Sequence, residues 1–337
     1  MTKRYLGNII TQNPTAPTDN YQNTPAAGVW SLAEALAYTK AELWPTAGQF
    51  GPLGFFFGGN TGTGYVTTIQ KLDLTSAGNA TDFGDIATAS GFKAAVGTPT
   101  RVVAGGTTSG TLLEYITPST AGNSVTFGNL QRNNAGTGAI GNSTYGLFGP
   151  RNSGALYDFE RITIASTGNA TNYGDLLTET YNYGGGVNNS TIGLVFGGYD
   201  SFFSGTTNSI SKKGITSGAN SSDFGDLTVG RTDAVGGCSS TRGLMSGGRN
   251  PDSNVIDYVT IATTGNATDF GDLNSARGQC GGASSTITAV IAGGYIYINS
   301  IESVTIATTG NATDYGDLTA ALYGLYGVGT QHGGITA

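Results

Sequence analysis

The chain has 337 residues, of which 56 are glycine and only 9 proline, and its 15 basic and 22 acidic side chains leave a net charge of -7. That much glycine without a Gly-x-y period excludes collagen, and a negative balance without a basic patch excludes a nucleic-acid surface. Hydrophobic residues at 38% and charged residues at 11% fit a β-rich globule rather than a solvated disordered chain.

Residues 1–50 do not repeat. The start MTKRYLGNII has a basic end but no apolar stretch of secretory length, so no signal peptide is expected. No segment is apolar enough for a membrane helix either, so no membrane insertion is expected. Asn13-Pro14-Thr15-Ala16-Pro17-Thr18 reads as extended linker. GVWSLAEALAYTKAELWPTAG then predicts a short helix. Ser31 and Glu34 make a capping-box pattern, Leu32, Ala35, Leu36 and Leu43 recur near helical spacing, and Pro45 stops the helix after Trp44. Trp30 and Trp44, the two tryptophans of the chain, flank this helix. They are candidate docking residues, or rings that pack against the outside of the rest.

From residue 51 to 337 one phrase organises the sequence. It reads GNATDFGD at Gly78–Asp85, GNSVTFGN at Gly122–Asn129, GNATNYGD at Gly168–Asp175, ANSSDFGD at Ala219–Asp226, GNATDFGD at Gly265–Asp272 and GNATDYGD at Gly310–Asp317. Its aromatics Phe83, Phe127, Tyr173, Phe224, Phe270 and Tyr315 are 44, 46, 51, 46 and 45 residues apart. A period of this size marks a supersecondary unit that buries its faces only against its neighbours. In the fifth repeat, Thr232–Ser239 predicts a strand a, Thr241–Gly248 a strand b, Asn254–Thr263 an alternating strand c and Asp269–Leu273 a short strand d. Strand b ends in a glycine pair at Gly58-Gly59, Gly105-Gly106, Gly197-Gly198, Gly247-Gly248 and Gly293-Gly294, with Gly149-Pro150 in the third repeat.

An apolar strand ending in Gly-Gly (LMSGG), then Asp257-Tyr258, then Phe270 with Leu273 and Arg277, resembles the kelch repeat. It departs from that family in carrying Phe or Tyr where kelch usually has Trp, and Arg231 and Arg277 lack counterparts in the other copies. The resemblance covers about residues 51–330 and implies a β-propeller of four-stranded antiparallel blades. The first element, Leu53–Gly59, is a strand b with no strand a before it, and one strand-a-like segment, Leu322–Thr330, is left over at the end. The expectation is therefore an all-β, six-bladed propeller whose C-terminal strand completes the first blade and closes the ring.

Several residue sets invite chemistry. The N-A-T sequons at Asn79, Asn169, Asn266 and Asn311 read first as turn formers between strands c and d. Asn79, Asp82 and Asp85 could offer oxygens to Ca2+, or instead cap strand d and bond turn amides. Glu114, Glu160, Asp257 and Glu302 recur in strand c and could supply acid/base pairs, but recurrence around a ring argues for a structural hydrogen bond, with Arg231 or Arg277 as partners. Asp82-Phe83-Gly84 partly resembles the Asp box of sialidases but has Ala80 where that motif wants Ser or Thr. His332 is the single histidine, which excludes the copper-radical oxidases of kelch type, and no nucleophile elbow, zinc set or P-loop is present. Cys238 and Cys280 sit at different offsets in their repeats and read as core residues. No cofactor, no metal and no enzymatic activity are expected.

Antiparallel blades place the a–b and c–d turns on one face, where the repeated text makes the surface uniform, and the b–c and d–a loops on the other. The b–c loops differ in every blade. The longest is Tyr199–Thr207, with Phe202 and Phe203 adjacent, and the sixth blade carries Tyr295 and Tyr297. Tyr199, Phe202, Phe203, Tyr295 and Tyr297 are the candidate binding residues, or else rings folded back onto the blade edge. The GVWSL…WP module and the TTGNATDFGDL repeats resemble those of tailed-phage virion proteins. That resemblance implies a structural protein assembled in the bacterial cytoplasm into a phage particle. Its expected partners are other virion proteins and a host-surface glycan or protein, with residues 1–50 as the docking segment. The alternatives are a lectin-like propeller or a glycan hydrolase.

Overall fold

The computed structural model describes residues 16–19, 21, 26, 28–41, 43–44, 51–92, 94–107, 110–133, 138–149, 158–176, 180–181, 185–200, 205–295 and 297–335. The chain divides into two compact units, Met1–Gly51 and Pro52–Ala337.

In the first unit the predicted helix is present as α1 (Leu32–Lys40), and both halves of the capping box form. The Glu34 amide donates to Ser31 Oγ at 3.2 Å and the Ser31 amide donates to Glu34 Oε2 at 2.9 Å. The Ser31 hydroxyl, which donates to Glu34 Oε2 at 2.6 Å, and then the Ser31 amide hold the Glu34 carboxyl below its usual range. Trp30 meets Tyr38 at 5.3 Å and Trp44 at 5.5 Å, both edge-to-face, and its Nε1 donates to the Ala26 carbonyl. The helix buries none of its residues, and Leu32 is 86% exposed.

The second unit is a six-bladed propeller of four-stranded antiparallel sheets. In chain order, β1 (Leu53–Phe57), β2 (Thr68–Asp73) and β3 (Thr81–Asp85) open blade 1. Blade 2 is β4 (Ala94–Gly97), β5 (Val102–Thr107), β6 (Gly110–Ile116) and β7 (Val125–Asn129). Blade 3 is β8 (Ala139–Gly141), β9 (Tyr145–Phe148), β10 (Asp158–Thr163) and β11 (Thr171–Asp175), followed by the two-residue β12 (Thr180–Tyr181). Blade 4 is β13 (Gly186–Asn188), β14 (Ile192–Phe196), β17 (Ser209–Gly214) and β18 (Ser222–Asp226), with β15 (Tyr199–Asp200) and β16 (Gly205–Thr206) inside its b–c loop. Blade 5 is β19 (Val235–Cys238), β20 (Arg242–Gly248), β21 (Ser253–Thr260) and β22 (Thr268–Asp272). Blade 6 is β23 (Gly281–Ser284), β24 (Thr288–Ala292), β25 (Ser300–Thr305) and β26 (Thr313–Asp317). The last strand, β27 (Tyr326–Gly329), pairs antiparallel with β1, Phe55 opposite Val328, and completes blade 1. The six inner strands β27, β4, β8, β13, β19 and β23 each neighbour the next, and β23 returns to β27, so the ring is closed.

Strand b reads as an unbroken apolar run because the adjoining blades cover both of its faces. Phe55, Phe56 and Phe57 are all buried. Strand c carries a bulge next to its acidic position, between Ile256 and Asp257 in blade 5. Val259 and Ile261 then pack toward blade 4, while Ile256 and Tyr258 pack toward blade 6.

The repeated phrase is the joint between blades. All six asparagines, Asn79, Asn123, Asn169, Asn220, Asn266 and Asn311, accept through Oδ1 the amide of the last strand-d residue of the preceding blade. The expected cap of strand d is present, and it is made across the joint, to strand d of the preceding blade. The glycine of the aromatic-Gly step lets the next blade close in: a Cβ on Gly271 (φ 146°) would sit 2.5 Å from the Gly310 carbonyl oxygen. Asn79 accepts the Asp317 amide and Asp85 accepts from Thr67 Oγ1, so both side chains are engaged in the scaffold. Among the described residues no cluster of three His, Cys, Asp or Glu could hold a metal.

Blade 4 shows how a deviant copy is repaired. At most joints the glycine amide donates to the aromatic's carbonyl, as Gly265 does to Phe224 at 2.8 Å. Blade 4 has Ala219 there, and its amide turns to Ser217 Oγ. Lys213 takes over, its ammonium donating to the carbonyls of both Tyr173 and Ala219. It is fully buried where the other blades carry the aliphatics Leu72, Ile116, Ile162, Val259 and Val304, and burial lowers its pKa.

Candidate recognition face

Three places on a propeller can hold a ligand: the axial channel, the uniform face and the variable face. The channel is nearly filled. Small residues of the inner strands, among them Ala95, Ala139, Gly237 and Ser284, leave a cavity of about 30 Å3, room for no more than ordered water. The tail after β27 turns into a short 3-10 helix, His332–Gly334, packed against β13, β19 and β23. This plug lies on the a–b side, with Gly333 against Asn188 and Gly334 against Ser240.

Burial pushes the His332 imidazole down from 6.5 to about 4, opposed by a hydrogen bond with the Gly97 backbone. A depressed histidine favours folding above its unfolded value, where both states are neutral. Between 6.5 and about 4 the unfolded chain binds the extra proton, so stability falls as pH drops. The full loss is about 3 kcal/mol. The expected result is an acid-induced fall in unfolding midpoint over that window, and His332→Asn should flatten it. An unchanged pH profile in the variant would show that other groups carry the acid response.

The uniform face carries the bonds that hold the blades together. Besides the asparagine joints, Arg101 Nη1 donates to the Ile164 and Ala165 carbonyls of the next blade, and Arg242 does the same to Ile306 and Ala307. The strand-c carboxylates are also structural, as their recurrence predicted. Each accepts an amide from the incoming d–a loop: Ala87 to Glu114, Gln131 to Glu160, Thr228 to Asp257 and Asn274 to Glu302. In blades 5 and 6 a buried arginine joins them, Arg231 to Asp257 at 3.0 Å and Arg277 to Glu302 at 2.9 Å. Both arginines enter from the d–a loop rather than from a neighbouring strand. Blade 1 replaces the pair with neutral partners, Leu322 at the arginine position and Gln70 accepting from the Thr319 amide. Cys238 and Cys280 are buried free thiols, pushed up to about 11 and about 12 by desolvation.

The variable face is built differently. Its d–a loops are tied into an inner rim: the Gln279 amide donates to Asp233, Gly324 to Gln279, and Phe92 to Gly324, at 2.7–3.0 Å. All five described non-glycine residues with positive φ lie on this face, at Phe92, Asp233, Asn250, Gln279 and Tyr297. Left-handed backbone at such residues is strain that the surrounding structure must hold in place.

On this rim sits an aromatic cluster. Among the described residues, the exposed aromatic side chains are Tyr65 (48%), Tyr295 (37%) and Tyr297 (42%). Tyr323 wedges between two of them, with ring centroids 5.9 Å from Tyr295 and 5.0 Å from Tyr297, nearly perpendicular to both. Phe92 backs Tyr323 at 6.3 Å. Tyr65 lies over Gly91 and Tyr297 over Gly62. The Arg249 guanidinium stacks on Tyr295 at 4.0 Å and pairs with Asp252 at 3.6 Å. Desolvation first, then a hydrogen bond with Tyr297, raises the Tyr323 phenol above its ordinary value.

No protein-family profile matches the chain. No curated protein matches it either. The sequence candidates distribute as follows. Tyr295 and Tyr297 come together in the exposed cluster, with Tyr65, Phe92, Tyr323 and Arg249 as neighbours that sequence reasoning missed. Tyr199 is half-buried in the small sheet β12–β15–β16, opposite Tyr181 and Thr206. Phe202 and Phe203 lie outside the described residues. Trp30 and Trp44 belong to the first unit, where they contact one another. No described helix is long and apolar enough to cross a membrane.

Proposed function

We propose that this protein is a non-enzymatic structural component of a phage particle, used for assembly and host-surface contact. The single observation that supports it best is the asymmetry of the ring: one face carries the repeated joints, while the other holds strained loops and the three exposed tyrosines. A rigid scaffold with one differentiated face is what recognition requires. The engagement of Glu114, Glu160, Asp257 and Glu302 in the scaffold supports a binding rather than a catalytic reading. The GVWSL…WP module supports the virion assignment, with residues 1–50 as the docking segment and the uncovered Leu32 and Leu36 side chains as its contact surface.

Mass spectrometry of gradient-purified particles tests this directly. Peptides of the chain are expected in the particles at structural copy number, and a variant lacking residues 1–50 should fold yet stay out of them. Finding the chain only in the particle-free fraction overturns the assignment. Normal incorporation of the truncated chain moves docking to the ring.

A further inference from the structure

We propose that Tyr65, Tyr295 and Tyr297, backed by Tyr323, form a binding platform for a neutral hexopyranose. The identity of that sugar as part of a host-surface glycan rests on the recognition reading above, whereas the chemistry of the platform does not.

The size of the patch comes first. Three rings, each less than half exposed, present on the order of 250 Å2. A stable protein partner needs about 800 Å2 on each side, so this patch alone does not hold one. One or two sugar rings cover it. Charge comes second. Arg249 is the cation at the patch, and it lies beside two carboxylates: it is 3.6 Å from Asp252, and it lowers the raised carboxyl of Asp233. Its guanidinium face is stacked on Tyr295. An anionic glycan or phosphate would meet a single guanidinium flanked by the carboxylates of Asp252 and Asp233, on a chain whose net charge is -7. What the site does offer is phenol hydroxyls, a partly exposed guanidinium edge and a carboxylate, the mixed donors and acceptors that a polyol's hydroxyls pair with.

Preorganisation comes third. Tyr297 is held at φ 57° with its amide bonded to Gly294, and the Tyr295 amide is bonded to Gly278. Tyr323 is fixed by reciprocal backbone bonds with Asn60. The rings therefore lose little freedom when a sugar face stacks on them, and tyrosine has few torsions to freeze. The platform also joins the first and last blades, so it exists only in the closed ring.

The test uses the full chain on an array of neutral glucans, galactans and mannans alongside sialylated, uronic-acid and phosphorylated glycans. Binding to at least one neutral class is expected, with little to the anionic ones. Tyr297→Ala and Tyr65→Ala should each weaken it at least ten-fold while leaving the unfolding midpoint close to that of the unmodified chain. Should either variant misfold, saturation-transfer NMR on the unmodified protein decides: saturating the tyrosine ring protons should label one face of the sugar. Binding only to anionic glycans, binding to none, or binding indifferent to both substitutions overturns the proposal. A chain that binds sugar but is absent from particles overturns the virion reading alone, and a particle-borne chain that binds no neutral sugar overturns this one alone.

Discussion

A chain lacking Leu322–Ala337 should lose cooperative unfolding and aggregate. The deletion removes β27, whose residues pair with Gly54, Phe55, Phe56 and Phe57 of β1, and it leaves those hydrogen-bonding groups on an open sheet edge. It also strips Leu322, Leu325 and Val328 from the cores beside blade 1, where all three are buried. At about 1.5–3 kcal/mol per aliphatic side chain, the lost burial of the three is roughly 4–9 kcal/mol before any strand hydrogen bond is counted. A domain's whole net stability is about 5–15 kcal/mol, so the remainder is marginal at best. Denaturant titration followed by circular dichroism, with size-exclusion chromatography for aggregation, checks this. Equal midpoints for the truncated and full chains would mean that β27 does not close the ring.

Asp257→Ala should cost about 3–5 kcal/mol, because it strands the Arg231 guanidinium in a site from which water is excluded. Both side chains are fully buried, and the Thr228 amide loses its acceptor as well. Blade 1 supplies the control. Its Leu322 and Gln70 occupy the same two places without charge, and Gln70 still accepts the loop amide at 2.7 Å. The double substitution Arg231→Leu with Asp257→Gln should therefore recover most of what the single one loses. Equilibrium unfolding of the double variant and of its two constituents, Arg231→Leu and Asp257→Gln, measures the coupling as a double-mutant cycle. If the neutral pair is as damaging as the single alanine, the ion pair does more in blade 5 than its blade 1 counterpart implies.

Blade number, strand order and the mode of closure were legible because each copy of the phrase marks one blade and the leftover Leu322–Thr330 could belong only to the first. The structural role of the strand-c carboxylates was legible for the same reason: a residue repeated around a ring serves the ring. The joint was only half legible. Asn266 was visible as a turn former, but nothing local in the sequence tells that its oxygen faces the strand end of another blade. Lys213 was hidden because a charged residue in an aliphatic column reads as a surface position until its two carbonyl partners are seen. The tyrosine platform was the least accessible. Tyr65 and Tyr323 lie at opposite ends of the ring sequence and meet only because the first and last blades share a seam. The left-handed backbone at Phe92, Gln279 and Tyr297 carries no glycine to announce it.

Each copy of the repeated phrase belongs to two blades, its asparagine closing the joint behind and its glycine admitting the carbonyl ahead. A copy that drifts therefore harms a neighbour, unless a change elsewhere, such as Lys213, makes good the lost bond. Joints of one design also turn blades into exchangeable parts. A whole blade gained or lost leaves two matching halves to meet, whereas a fraction of a blade leaves none. Ring size can then change only in steps of one complete repeat, while the loops on the far face are free to diverge one residue at a time.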